Sequence, residues 1–225
     1  MIDPKLTTEL VGTAVLVFTV QVATAGQGPG APIAIGAVLI AIIFAGGPVS
    51  GAHYNPAISL AVTLRGSLPP KEMMAYWIAQ VFGGILGGLC GGVVAASFGA
   101  VSMGDDASFA QALLAEAVYT FVLCFVVLSV ATNPKVEGNH YFGLAIGLVV
   151  TSGAISVGPI SGGAFNPAVV LGLSISSFFS NLWYGLLVIA SNLLGGVVAA
   201  GCFHLVYPGV DGEVGTAGET TPLNA

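Results

Sequence analysis

The residues best suited to polar chemistry in this sequence are two Asn-Pro-Ala triplets, Asn55-Pro56-Ala57 and Asn166-Pro167-Ala168. Each triplet sits in a similar phrase, GPVSGAHYNPAISL at residues 47–60 and GPISGGAFNPAVVL at residues 158–171. Asparagine is a favoured helix N-cap, and proline at the first helical position loses nothing because its missing N–H would have no partner there. Each triplet therefore predicts the start of a helix, whose amino end offers unpaired N–H donors and a partial positive charge.

Two glutamates in apolar surroundings, Glu9 and Glu116, are the other candidates for chemistry. They occupy matching places in ELVGT at residues 9–13 and EAVYT at residues 116–120. A carboxylate inside a membrane is costly without polar partners, so both are expected to exchange hydrogen bonds with loop backbone. Neither has an adjacent nucleophile or histidine base, so the sequence predicts no enzyme and no cofactor. The three cysteines stand singly in apolar runs, which predicts neither a metal site nor a disulfide: Cys90, Cys124 and Cys202.

The composition predicts that these residues lie in a membrane protein. Of the 225 residues, 56% are hydrophobic and only 6% are charged, which is too little charge to cover a soluble domain of this size. An apolar run of roughly 17 to 25 residues can cross the hydrocarbon core as a helix. Six such runs are predicted as spans: 7–25, 32–48, 73–97, 109–131, 142–158 and 180–206.

The apolar segments that follow the two triplets, 56–64 and 167–179, are about half the length of a spanning helix and predict half-helices. The glycine-rich stretches before the triplets predict non-helical backbone that enters the membrane partway. Such backbone is tolerated at that depth only when it is buried in protein or lines a watery cavity.

A third repeated phrase, AQVFGG at residues 79–84 and SNLLGG at residues 191–196, follows the glutamates and the triplets in the same order in both halves. The chain is therefore predicted to be a duplicated unit, with repeats at about 5–98 and 108–207. Because each unit contains an odd number of spans, the second is inverted relative to the first. We expect one transmembrane domain over residues 1–208, with its first apolar run kept as a membrane helix and not removed as a signal peptide.

The charged residues predict the orientation in the membrane. All basic residues fall on one side if both termini are cytoplasmic, which satisfies the positive-inside rule. The net charge of −6 argues against a nucleic-acid partner. Residues 209–225 are predicted to be a disordered cytoplasmic tail. The four basic residues are Lys5, Arg65, Lys71 and Lys135.

Inverted copies would bring the two half-helix amino ends together near the middle of the bilayer. Neutral solutes could accept hydrogen bonds from Asn55 and Asn166 there, whereas cations and protons would be repelled by the positive ends of the helices. The alternative interpretation is that each Asn-Pro-Ala only caps a structural hairpin.

The phrases SGAHYNPA at residues 50–57 and SGGAFNPA at residues 161–168 resemble the two pore loops of the aquaporin, or major intrinsic protein, family. The resemblance runs over about residues 5–207 and implies an all-α membrane protein of six transmembrane helices and two re-entrant half-helices. It implies a homotetramer in the lipid bilayer with one pore per monomer, for water and small uncharged solutes. It also implies that Glu9 and Glu116 support the loops from behind. The implied pore-lining backbone is that of Gly51, Ala52, His53, Tyr54, Gly162, Gly163, Ala164 and Phe165.

The sequence departs from that family at the outer constriction, the selectivity filter. Most members have an arginine directly after the second Asn-Pro-Ala, where this chain has Val169. The other filter positions correspond to Ile35, Ala154 and Gly163. Water-selective members usually have a bulky aromatic residue, a histidine and a small residue at these three positions, respectively. The aspartate usual in glycerol facilitators is replaced by Val170. We therefore expect a wide, apolar filter that passes water and a small uncharged solute such as glycerol, urea or ammonia.

The sequence favours a passive channel, which we expect in the cell (inner) membrane. It leaves two alternative functions open. An inverted-repeat secondary transporter would couple solute to ions or protons through Glu9 and Glu116. A structural protein with a vestigial pore would keep the fold without transport.

Overall fold

The computed structural model describes residues 3–26 and 28–210 of the chain, and every regular element in them is helical. The all-α prediction is thus confirmed. The predicted tail at 209–225 lies outside the described residues from position 211 onward. The helices are α1 Pro4–Ala25, α2 Ala31–Ser50, α3 Pro56–Leu64, α4 Pro70–Ala95, α5 Phe109–Ala131, α6 Phe142–Ser156, α7 Gly158–Ser161, α8 Pro167–Ser176 and α9 Leu182–Val206, with a 3-10 turn at Pro134–Val136.

Helices occupy all six predicted spans. Five of them, α1, α2, α4, α5 and α9, are long and apolar enough to cross a membrane. The sixth, α6, has only 15 residues, but α7 follows it after a break at Val157. The break directly precedes Gly158-Pro159, because the proline has no N–H to continue the hydrogen-bond ladder of α6.

The prediction of non-helical backbone before the two triplets is wrong for residues 46–50, and it is also wrong for residues 158–161, which form the short helix α7. Helix α2 continues through Gly46, Gly47 and Pro48 to Ser50. Pro48 lies in the last turn, so it removes one hydrogen bond close to the helix end and not in its middle. Only 51–55 before α3, and 162–166 before α8, are non-helical.

The two halves of the chain are interleaved. Within each half the first and last long helices pack together, α1 with α4 and α5 with α9. Each half-helix then packs against the last long helix of the opposite half, α8 on α4 and α3 on α9. The half-helices are therefore held in the interior by the other repeat.

Glycines permit the close crossing of α4 and α8. A Cβ atom added to Gly172 would lie 2.5 Å from the carbonyl carbon of Gly84, and one added to Gly84 would lie 2.5 Å from the Ala168 carbonyl oxygen. The repeat-related crossing uses Gly196, where an added Cβ would be 2.8 Å from the Ala57 carbonyl oxygen. These contacts are backbone against backbone, so no side chain can move aside to admit a methyl group.

We expect Gly172→Ala to destabilise the protein by about 1–3 kcal/mol, because overpacking a tight contact forces backbone shifts. Gly201→Ala in α9 is the matched control, since an added Cβ there has nothing within 4 Å. Thermal unfolding of the purified proteins in detergent measures the difference. Equal melting temperatures for the two variants would contradict the role assigned to this crossing.

Candidate functional site

The two Asn-Pro-Ala triplets begin α3 and α8 in the same way. Asn55 has φ −156° and ψ 119°, and its side-chain oxygen accepts a hydrogen bond from Ala57 N at 2.9 Å. Asn166 has φ −155° and ψ 110° and accepts from Ala168 N at 2.9 Å. In each triplet the proline is the first helical residue, where its missing N–H leaves no carbonyl unpaired.

The amide groups of the two asparagines bind the opposite loop. Asn55 Nδ2 donates to the Phe165 carbonyl at 2.8 Å, and Asn166 Nδ2 donates to the Tyr54 carbonyl at 2.9 Å. Each amide nitrogen carries two hydrogens. One per asparagine is used in this reciprocal pair, which leaves one N–H each for an acceptor in the cavity that both residues line.

Glu9 is fully buried in α1 and accepts hydrogen bonds on both carboxyl oxygens. Its Oε1 accepts from Ser50 Oγ at 2.7 Å and from His53 N at 2.9 Å. Its Oε2 accepts from Tyr54 N at 2.7 Å and from Gln80 Nε2 at 2.8 Å. One side chain thus connects α1, α2, α4 and the first loop.

Glu116 makes the same set of bonds in the second half and is also fully buried. Its Oε1 accepts from Ser161 Oγ at 2.8 Å and from Ala164 N at 2.9 Å. Its Oε2 accepts from Phe165 N at 2.9 Å and from Asn192 Nδ2 at 2.8 Å. The repeat therefore extends to every hydrogen bond of the two carboxyl groups.

These bonds fix the direction of the loop carbonyls. The described peptide bonds are all trans, so the C=O of one residue points away from the N–H of the next. Because the N–H groups of His53 and Tyr54 point at Glu9, the carbonyls of Ala52 and His53 point to the opposite side of the loop. By the same argument, the carbonyls of the second loop that point away from Glu116 are those of Gly163 and Ala164.

Left-handed backbone conformations give both loops their tight course. Gly51 and Gly162 end the preceding helices at φ 83° and 90°, a region that glycine enters without a steric cost. Tyr54 and Phe165, directly before the asparagines, also have positive φ, at 50° and 47°. Such values are uncommon for bulky residues and persist where surrounding contacts determine them.

Several residues that support the loops were not predicted. Tyr76 donates to the Ser50 carbonyl at 2.7 Å, and Tyr184 donates to the Ser161 carbonyl at 2.6 Å. Gln80 and Asn192, the partners of the glutamates, lie inside the repeated phrases AQVFGG and SNLLGG. A polar residue at the same place in both apolar copies was the signal that could have identified them.

A cavity of about 590 Å³ lies between the two loops and one end of the bundle. Asn55 and Asn166 line it, and so do the four filter positions inferred from the sequence. None of those four side chains has a hydrogen-bond donor, and Ile35 and Val169 are 8% and 4% exposed. The sequence-predicted residues that line the cavity are Ile35, His53, Tyr54, Asn55, Ala154, Gly162, Gly163, Ala164, Phe165, Asn166 and Val169.

The remaining predicted residues lie outside this lining. Gly51 and Ala52 belong to the first loop but are not among the residues that line the cavity, and Glu9 and Glu116 lie behind the loops. Within residues 3–26 and 28–210, no three His, Cys, Asp or Glu side chains are grouped so that they could hold a metal ion.

Comparison with known proteins gives consistent results. The sequence matches the family profile described as Major intrinsic protein over residues 4–186 and again over residues 140–224. It is 31% identical over 216 residues to Aquaporin NIP1-1 of Zea mays, covering 90% of this chain and 74% of that protein. It is 32% identical over 235 residues to the Probable aquaporin AqpM of Archaeoglobus fulgidus, covering 89% and 95%. The X-ray structure of the aquaglyceroporin from Plasmodium falciparum has the same fold, with a TM-score of 0.79, 24% identity and coverage of 92% and 98%.

Proposed function

The chain belongs to the major intrinsic protein family, so it is a multi-pass membrane channel for water and small solutes, and we propose that its outer filter is unusually wide and apolar. The filter in this proposal consists of Ile35, Ala154, Gly163 and Val169. It admits small uncharged solutes such as glycerol, urea or ammonia in addition to water. The asparagine pair forms a second, central restriction, and flux follows the solute gradient alone.

The observation that carries the proposal is that these four residues line one cavity with both asparagines. A ring without donors gives a polar solute little orientation, and small side chains leave room for molecules larger than water. The Gly163 and Ala164 carbonyls, which point away from Glu116, supply acceptors in the same cavity for solute O–H and N–H groups. A permeant molecule thus meets both apolar side chains and carbonyl oxygens in this cavity.

In this proposal, cations and protons are excluded at the centre of the pore. The amino ends of α3 and α8 meet there, and each carries about half a positive charge. With Val169 in place of arginine, no fixed cationic side chain stands at the outer filter. Proton exclusion is therefore weaker than in a channel that has both barriers.

The orientation and assembly are also proposed. Lys5 Nζ lies 3.0 Å from Glu72 Oε1, and Arg65 Nη2 donates to the Thr132 carbonyl at 2.9 Å. These contacts gather the basic segments at one end of the bundle, which supports a cytoplasmic amino terminus. The cell (inner) membrane is proposed as the location. We propose a homotetramer by the family resemblance. Light scattering of the detergent-solubilised protein tests the tetramer. Labelling of a Lys5→Cys variant in whole cells tests on which side of the membrane the amino terminus lies.

Stopped-flow measurements on reconstituted vesicles test the proposal directly. Under a sucrose gradient, protein-containing vesicles are expected to shrink faster than protein-free vesicles, because water leaves through the pore. After a glycerol or urea challenge they are expected to reswell faster, because these solutes enter by the same path. A channel that passes water but excludes glycerol, urea and ammonia would contradict the wide filter. Flux that follows an imposed proton gradient would instead support a carrier coupled through Glu9 and Glu116.

A further inference from the structure

The segment between α4 and α5 forms part of the wall of the pore cavity. Residues 99–104 all line the same cavity as the asparagines and the four filter positions. The segment has no regular secondary structure before its turn at Asp105 and Asp106. Its sequence from residue 97, SFGAVSMG, contains no charged residue.

Contacts at both ends hold this segment, which we call the mouth loop (residues 97–104), against the channel. Gln21 Nε2 of α1 donates to the Ser97 carbonyl at 3.0 Å. At the other end, Gly104 N donates to the Ile160 carbonyl of α7 at 3.1 Å. The mouth loop is therefore tied to one helix of each repeat.

The middle of the mouth loop packs directly on the second pore loop. A Cβ atom added to Gly162 would lie 2.8 Å from Val101 Cγ1 and 2.8 Å from the Ser102 carbonyl oxygen. Gly162 immediately precedes the filter position Gly163. The Val101 side chain thus lies beside the filter, and the space it occupies is left by the missing side chain of Gly162.

Side chains of the mouth loop are sorted by polarity. Val101 is 7% exposed and belongs to the buried core, and Met103 is half-buried and packs against that core. Ser102, between them, is exposed. Two apolar side chains of the mouth loop therefore line the cavity and also pack against the core, whereas Ser102, which lines the same cavity, stays exposed.

We propose that Val101 and Met103 are additional specificity-determining residues, which complete the outer constriction on the side covered by the mouth loop. This inference rests on the proposed function of the filter. The four filter residues come from α2, α6, the second pore loop and α8, and the mouth loop closes the ring that they begin. Because the Val101 and Met103 side chains are also apolar, an entering molecule gives up water beside them without gaining a hydrogen bond from them, and this penalises ions far more than small uncharged solutes.

Cysteine labelling tests the position of Val101. In a background where Cys90 and Cys202 are replaced by alanine, Val101→Cys is treated from outside with a trimethylammonium-ethyl methanethiosulfonate. The native Cys124 is fully buried and is retained. Labelling is expected to reduce water permeability to that of protein-free vesicles, because the attached cation occupies the mouth. Asp106→Cys is the matched control, since it is exposed and lines a separate groove, and its labelling is expected to leave flux unchanged.

A second variant keeps the test decisive if cysteine at this position does not react. Val101→Ala is expected to raise the glycerol-to-water permeability ratio at least about twofold, because it widens the constriction without adding polarity. Labelled Val101→Cys that conducts normally, or an unchanged ratio in Val101→Ala, overturns the proposal. If the wild-type protein conducts water only, the wide filter fails. Even in that case, loss of water flux after labelling of Val101→Cys would support the mouth loop as part of the constriction.

Discussion

Replacing Glu116 by alanine is expected to remove most of the folded protein. The substitution leaves four donors, three buried and one partly buried, without this acceptor; two come from loop backbone and two from the side chains of Ser161 and Asn192. Each unsatisfied buried donor costs about 1–3 kcal/mol, and a protein is typically stable by only about 5–15 kcal/mol. The free energy lost in Glu116→Ala is therefore comparable to the whole free energy of unfolding. Thermal unfolding and gel filtration in detergent measure it.

Glu9, the counterpart of Glu116 in the first repeat, provides an independent test of this prediction, and Glu72 provides the control. Glu9→Ala is expected to lower stability by a similar amount, because it removes the acceptor of the four equivalent donors. Glu72→Ala removes the ion pair with Lys5, whose side chains are 24% and 33% exposed, so it is expected to cost about 0–1 kcal/mol. Normal stability with lost transport in Glu116→Ala would instead assign this glutamate to solute coupling.

Val169→Arg is expected to abolish the passage of glycerol and urea and to lower proton leak. Val169 is the third residue of α8 and lines the cavity beside Gly163. A guanidinium there narrows the opening and places a fixed positive charge at the outer filter, while nearby loop carbonyls can accept its hydrogen bonds. Water is small enough to pass such a ring. Vesicle swelling and a pH-sensitive dye trapped inside the vesicles measure the two effects.

Val169→Met separates size from charge in this experiment. Methionine is larger than valine but neutral, so it is expected to reduce glycerol passage while leaving proton leak unchanged. If neither substitution alters solute passage, position 169 is not at the constriction and the assigned filter is wrong. If both substitutions lower proton leak equally, the width of the filter controls proton exclusion and its charge does not.

Local chemistry explains why some elements were predictable. Helices α3 and α8 begin at Pro56 and Pro167, as the Asn-Pro-Ala pattern predicts, because N-cap and first-turn preferences depend on neighbouring residues alone. The all-α class followed from run length and apolarity. The fold of the second half followed from the first through the repeated phrases.

Features that depend on distant packing were not predictable in the same way. Pro48 and the glycines before it indicate a broken helix by propensity, yet α2 continues to Ser50 because tertiary contacts outweigh local preference. The mouth loop has no motif of its own. Val101 packs against Gly162, which lies in the second repeat and is distant in sequence. Only the three-dimensional structure brings those residues together.

The reciprocal bonds between Asn55 and the Phe165 carbonyl, and between Asn166 and the Tyr54 carbonyl, impose an order on biosynthesis. The first half of the chain leaves the ribosome before its asparagine has an acceptor, so its loop reaches its final geometry only after residue 165 has been made. Neither half can complete the centre of the molecule alone. An ancestral chain half as long could have formed the same two bonds only with a second copy inserted upside down beside it.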